Sequence, residues 1–279
     1  MSVTVAAIQM NSLDNLQDNL QQAEALLIQA ANSGAKLAVL PENFAVFAAG
    51  RQIHTAQQMS MIQAWLAEQA TKNQLWLVAG SIPCLYRPDG QSVLQDKVRS
   101  CCLVYTPQGE LAGRYDKIHL FDALIADQQA QYQESATFEA GDEIVVINTP
   151  FANIGLSICY DIRFAALYQA LRDKGADIIV VPAAFTALTG AAHWQVLLRA
   201  RAIENQCMMI GAGQSGWHSA SRQTWGHSQI IDAWGKVLAE QEQGVGVVLA
   251  QYVKAELQQV RQQMPVLRHR RLCVTHGLS

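Results

Sequence analysis

The chain has 279 residues, half of them apolar, with charged residues at 15% and a net charge of -3. A chain of this length can bury a large core, in one domain or two closely fused halves, without disulfide staples. The weak charge balance excludes the electrostatic footprint of nucleic-acid or anionic-membrane binding, and a small neutral or acidic ligand fits it better.

The opening phrase MSVTVAAIQMNSLDN has neither a basic n-region nor a sustained apolar h-region. No apolar run approaches the roughly 18 residues of a membrane span. Cys84, Cys101, Cys102, Cys159, Cys207 and Cys273 show no C-x-x-C spacing, which fits a reducing compartment. The expectation is one cytoplasmic domain over 1–279 that neither spans nor binds a membrane.

In chain order, apolar positions Leu20, Ala23, Leu26, Leu27 and Ala30 predict a helix from about Asn19 to Ala31, followed by Gly34, an apolar strand and Pro41. A helix around Met59 to Lys72 feeds the strand Leu75 to Gly80. Then Cys102 to Tyr105 turns at Pro107-Gln108-Gly109 into Glu110 to Tyr115. The second half repeats this order: a helix from Ala165 to Arg172, Gly175, the strand Ile178 to Val181 and Pro182. A helix around Trp194 to Glu204 feeds Cys207 to Gly211, and Gln229 to Asp232 turns at Ala233-Trp234-Gly235 into Lys236 to Glu240. Strands alternating with helices imply βαβ crossovers, and the hairpins add antiparallel strands. Two such mixed sheets can bury their free faces against each other. The predicted fold is therefore α/β, a four-layer α-β-β-α sandwich with two mixed sheets and internal pseudo-duplication.

Three polar residues stand where apolar strands end. Glu42 follows Ala38-Val39-Leu40-Pro41, at the strand edge where α/β proteins place their sites. A solvated loop acid or an N-cap is its plainer reading. Lys117 follows a charge-rich strand, and an exposed edge lysine is the plain alternative. Cys159 ends the alternating stretch Ile154, Leu156, Ile158 and precedes a helical run from Ile162 to Arg172, a strand-to-helix elbow. A helix N-terminus there would lower the thiol pKa, whereas a cysteine alone in an apolar strand is more often inert. Together the three supply a nucleophile, a base and a cation to hold developing charge.

Leu40-Pro41-Glu42, Tyr115 to Asp122 (YDKIHLFD) and Ile158 to Phe164 (ICYDIRF) resemble the three signature segments of the nitrilase superfamily of carbon-nitrogen hydrolases. The resemblance continues through Thr189 to Trp194, Trp225 to Ser228 and Pro265 to Arg268, so it covers essentially the whole chain. Within the superfamily the chain is similar to the Nit-type amidase branch. Leu198 to Cys207, Ala212 to His218 and His269-Arg270-Arg271 are closer to deaminated glutathione amidases, and Gln133-Glu134-Ser135 is reminiscent of omega-amidases. The resemblance implies Cys159 as nucleophile, Glu42 as base, Lys117 as oxyanion partner and Glu134 as a second site glutamate. By residue chemistry alone, Glu134 reads as a solvated loop acid. The implied substrate is the primary amide of a small carboxylate-bearing metabolite, deaminated glutathione first and 2-oxoglutaramate or 2-oxosuccinamate next, giving a carboxylate and ammonia through a thioester. Tyr160, Arg163, Phe185, Thr186 and His193 are the substrate-binding candidates. No cofactor and no metal is expected, and a homodimer or larger homo-oligomer is.

Other signals carry less. Gly211 to Gly216 spells G-x-G-x-x-G, but Trp217 to Thr224 is polar and loop-like where a dinucleotide fold needs a helix. Arg199, Arg201 and Glu204 read as a solvated helix face. An arginine fork suits a substrate carboxylate, and Arg163, Arg199 and Arg201 are all candidates. Arg268 to Arg271 read as a surface tail or a docking segment. A non-catalytic scaffold and a thiol redox sensor remain the rival classes, the latter needing a resolving cysteine near Cys159.

Overall fold

A computed structural model describes residues 2–272; Cys273 lies outside the described residues. In chain order the strands are β1 (Ser2–Gln9), β2 (Ala35–Val39), β3 (Trp76–Val78), β4 (Ile82–Cys84), β5 (Arg99–Tyr105), β6 (Leu111–Asp116), β7 (Asp122–Leu124) and β8 (Gln131–Gln133). They continue with β9 (Val146–Asn148), β10 (Asn153–Leu156), β11 (Ile178–Ala183), β12 (Met208–Gly213), β13 (Ser215–Trp217), β14 (Gln223–Trp225), β15 (Ser228–Ile231), β16 (Val237–Gln241) and β17 (Gly246–Val253).

One sheet runs β17-β1-β2-β3-β5-β4 with β6 also on β5, and the other runs β16-β15-β12-β11-β10-β9. Both are mixed: β1, β2 and β3 are parallel, as are β10, β11 and β12, and hairpins flank each trio. The period-2 alternation of strands divides the first sheet cleanly. Val5, Ala7, Leu37, Val39, Cys102 and Val104 pack with residues of the second sheet, such as Ile154, Leu156 and Val180. Ala6, Ile8, Ala38, Leu77 and Leu103 face the helices Leu16–Asn32 and Met59–Asn73. Helices Ala165–Asp173 and Gln195–Asn205 cover the second sheet through Leu167, Leu171, Leu198 and Ala202. These are the four layers.

The duplication is visible in matching breaks. Helices Met59–Asn73 and Gln195–Asn205 both stop at a glutamine in the left-handed region, Gln74 at φ 51° and Gln206 at φ 50°. Gly34 and Gly175 take φ 85° and 91° at equivalent turns. One strand departs from a half-by-half assembly: β17 crosses back and pairs antiparallel with β1 along its whole length. The polar stretch after Gly213 also differs from a plain loop, because Ser215–Trp217 and Gln223–Trp225 pair as a small hairpin.

Candidate active site

Glu42, Lys117, Glu134 and Cys159 arrive from four separate stretches and meet at one end of the two parallel strand trios. β2 ends at Val39, and the next turn packs so closely on Gly80 that any side chain there would run into the Pro41 carbonyl. Glu42 then turns inward to 5% exposure. Its Oε2 accepts from the Ala184 N–H at 2.8 Å, just past β11, and its Oε1 accepts from Lys117 Nζ at 2.9 Å. Lys117 is 2% exposed, not an edge lysine, and its Nζ also lies 2.9 Å from both oxygens of Glu134. Glu134 Oε2 further accepts from the Phe121 N–H at 2.6 Å, so it is a built-in acid and not a solvated one.

Cys159 sits just past β10 at φ 48°, a left-handed conformation that a non-glycine residue holds only when its surroundings impose it. The imposing group is Asp161, fully buried. It accepts from the Ile158 N–H at 2.9 Å, the Tyr115 hydroxyl at 2.7 Å and the His119 N–H at 3.1 Å, with His119 Nδ1 at 2.7 Å. One carboxylate thereby ties the cysteine turn to the strand that carries Lys117. Arg201 supports the same turn from below, donating from Nε to the Ile162 carbonyl at 2.8 Å and lying over the Tyr168 ring. It is 6% exposed, which corrects the reading of a solvated helix face for Arg201, while Arg199 and Glu204 are exposed. Its place three residues from Leu198 on the buried stripe is the signal that spacing offered.

The elbow differs from expectation in two linked ways. Residues Cys159–Arg163 form a 3-10 turn, Phe164 is extended, and the helix begins at Ala165, so no long helix points its N-terminus at the sulfur. The thiol pKa is accordingly not lowered. Burial first, and then the nearby Glu42 carboxylate, push it well above its ordinary value, with Lys117 opposing. Burial likewise raises Glu134, against the pull of Lys117. Burial alone would depress Lys117, but Glu134 and Glu42 outweigh it and hold the ammonium charged well above the usual lysine range. The resting state this favours is a neutral thiol beside a carboxylate and a locked ammonium.

The four residues open on a cavity of about 520 Å³, also lined by Tyr160, Arg163, Phe185 and Thr186. The Thr186 hydroxyl is occupied in capping, accepting from the Thr189 N–H. His193 is the substrate-binding candidate that does not line the cavity. It is exposed and reaches it through Arg163, whose Nη1 is 3.2 Å from His193 Nδ1. Arg199 and Arg201 are both committed to backbone carbonyls elsewhere. Periodicity gave no sign of Phe47 and Arg222, which lie in loops, or of Tyr132 in the short strand β8, and all three line the cavity. Among the described residues no group of three His, Cys, Asp or Glu side chains is placed to hold a metal ion, and no helix is long and apolar enough to cross a membrane.

Residues 4–262 match the family described as carbon-nitrogen hydrolase. The chain is 43% identical to a deaminated glutathione amidase of Yersinia enterocolitica, over 97% of this chain and 93% of the relative. It is 37% identical to omega-amidase NIT2 of Danio rerio, over 96% and 94% of the two. Among solved structures it superposes on the C. elegans NitFhit protein with a TM-score of 0.89 at 34% identity, covering 97% of this chain but 65% of that longer one. With family match, relatives and geometry in agreement, the chain belongs to the carbon-nitrogen hydrolase family.

Proposed function

We propose that this carbon-nitrogen hydrolase is an amidase that cleaves a small carboxylate-bearing amide through a thioester on Cys159, with deaminated glutathione as its substrate. The observation that carries the reading is the convergence of Glu42 and Glu134 on Lys117 beside the thiol, in a cavity lined by arginines. A thiol that rests neutral needs its base at hand, and Glu42 takes the proton as sulfur attacks the carbonyl carbon. The oxyanion then meets the Lys117 ammonium and the N–H that follows Cys159. Glu42 returns the proton to the departing amine, leaving a thioester. A water deprotonated by the same carboxylate attacks the thioester, and the acid leaves as Cys159 recovers its proton. Glu134 shares the Lys117 charge and keeps the ammonium aimed at the site.

The departing amine depends on the amide, which corrects the expectation of a primary amide and of ammonia for deaminated glutathione. Deaminated glutathione joins its acyl part to cysteinylglycine through a secondary amide, so cysteinylglycine departs there, and ammonia departs from a primary amide such as 2-oxoglutaramate. The name of the Yersinia enterocolitica relative supports the first substrate, and that of the Danio rerio relative supports omega-amidase action as the second reading. The proposal includes a reducing cytoplasmic setting, supported by five free buried cysteines among the described residues. It also includes a homodimer or larger homo-oligomer, supported by the exposed apolar side chains Leu188, Val196, Ile203 and Trp234.

The test compares turnover of deaminated glutathione, 2-oxoglutaramate and 2-oxosuccinamate by purified protein. The proposal expects the highest kcat/KM on deaminated glutathione, and failure on all three rejects it. Cys159→Ala is expected to abolish turnover, a loss of roughly 10⁴-fold or more. A mutant that keeps turning over excludes the thioester, and a wild type with ligand affinity but no turnover indicates a binding protein.

A further inference from the structure

Of the three arginines that line the cavity, Arg51 meets Asp14 at 2.7 Å, whereas Arg163 and Arg222 have no carboxylate partner among the described residues. Arg222 Nη2 donates to the Ala184 carbonyl at 2.8 Å. Its guanidinium lies between two rings, with Cζ 4.8 Å from the Tyr132 centroid and 5.4 Å from that of Phe47. Nη1 is buried and makes no hydrogen bond among the described residues. The Tyr132 hydroxyl donates to Asp127 at 2.7 Å and lies within hydrogen-bonding reach of the Arg222 guanidinium.

The arginine is also firmly placed. Its own N–H donates to Ser219 Oγ, and His218 fixes the loop by bridging the Ser12 carbonyl and Thr224 Oγ1 at 2.7 and 2.6 Å. A guanidinium held on a cavity wall with no carboxylate to neutralise it is suited to reading an anion. The peptide it grips locates it further. Ala184 gives its carbonyl to Arg222 and its N–H to Glu42, the group that returns a proton to the departing amine. Arg163, by contrast, belongs to the cysteine turn itself and lies over Tyr160 and Phe185.

Resting on the substrate reading above, we propose that Arg222 anchors the carboxylate on the leaving-amine side of the substrate and so selects amides with an acid at both ends. Deaminated glutathione carries a 2-oxo acid on its acyl part and a glycine carboxylate on its amine part. 2-Oxoglutaramate carries only the first. Arg222 therefore separates the two substrate classes that the rest of the site treats alike.

The experiment measures kcat/KM of wild type, Arg222→Gln and Arg222→Lys on both amides. The expected result for Arg222→Gln is a loss of at least about tenfold in the ratio of deaminated glutathione to 2-oxoglutaramate, carried mainly by KM, with partial recovery in the lysine variant. An unchanged ratio, with or without a common loss on both amides, overturns the proposal. A second readout is independent of turnover: protection of Cys159 from iodoacetamide by S-methylcysteinylglycine, against its C-terminal amide. Protection that needs the free carboxylate and disappears in Arg222→Gln supports the anchor even if deaminated glutathione is not hydrolysed. Equal protection of both proteins, or of neither, sinks the anchor while leaving the amidase reading to its own test.

Discussion

The two halves of the molecule follow the same plan to opposite electrostatic ends. In the first half every buried charge is met within the fold: Lys117 by Glu42 and Glu134, and Arg99 by Asp116 and Glu139. In the second half the cavity wall holds Arg163 and Arg222, neither of them in an ion pair among the described residues, and a thiol in a strained turn. The matched strand ends show the division at its sharpest. Pro41 leads to a carboxylate, whereas the equivalent Pro182 leads to Ala184, whose backbone N–H holds that carboxylate in place. The two similar scaffolds thus differ in what they bring to the site: the first carries Glu42, Lys117 and Glu134, and the second carries the thiol and two unpaired arginines.

Glu42→Gln breaks this comparison hardest, because its carboxylate joins Lys117 of the first half to the Ala184 N–H of the second. Turnover should fall roughly 10³-fold with the fold retained, measured as kcat beside an unchanged circular dichroism spectrum. Glu134→Gln leaves the base and takes away one of two charges on Lys117. A smaller loss of about 10- to 100-fold in kcat is expected, and a loss as large as that of Glu42→Gln would show that the two acids are not divided in role. In the second half, Arg201→Gln frees the Ile162 carbonyl beneath the cysteine turn. Denaturant unfolding should show a loss of about 2 kcal/mol, together with slower alkylation of Cys159.

One effect depends on pH. Burial holds His218 at a pKa of about 4 in the folded chain, against about 6.5 when unfolded. Between those values the unfolded state binds the extra proton, so stability is full above about 6.5 and declines as the pH falls toward 4, by up to about 3 kcal/mol. Replacing His218 with Gln should flatten that part of the stability profile, as followed by denaturant midpoints at pH 7 and 5.

Much of this was legible in the chain. The helix Met59–Asn73, the two long hairpins and the strand ends at Pro41 and Pro182 follow from periodicity and turn residues, because local spacing decides which face is buried. Glu42 and Cys159 could be picked out because each follows an apolar strand, and Lys117 because it opens the compact mixed segment Lys117 to Asp122. Less visible was anything that depends on distant stretches meeting. Glu134 reads as a solvated acid until the chain folds it onto Lys117, and Arg222 sits in a polar loop with no periodic signature. The pairing of β17 with β1 links the ends of the chain, a contact that local pattern does not encode. The state of the thiol departs from the local expectation for the same reason: burial and a neighbouring carboxylate from another segment outweigh the local turn.

The central claim is a covalent acyl group on Cys159 during turnover. Quenching the protein with acid in mid-turnover and weighing its peptides tests it directly. The account predicts the acyl mass on the peptide containing Cys159, vanishing as substrate is exhausted. Steady turnover with no adduct at Cys159, or an adduct on Cys84 or Cys101 instead, would contradict it.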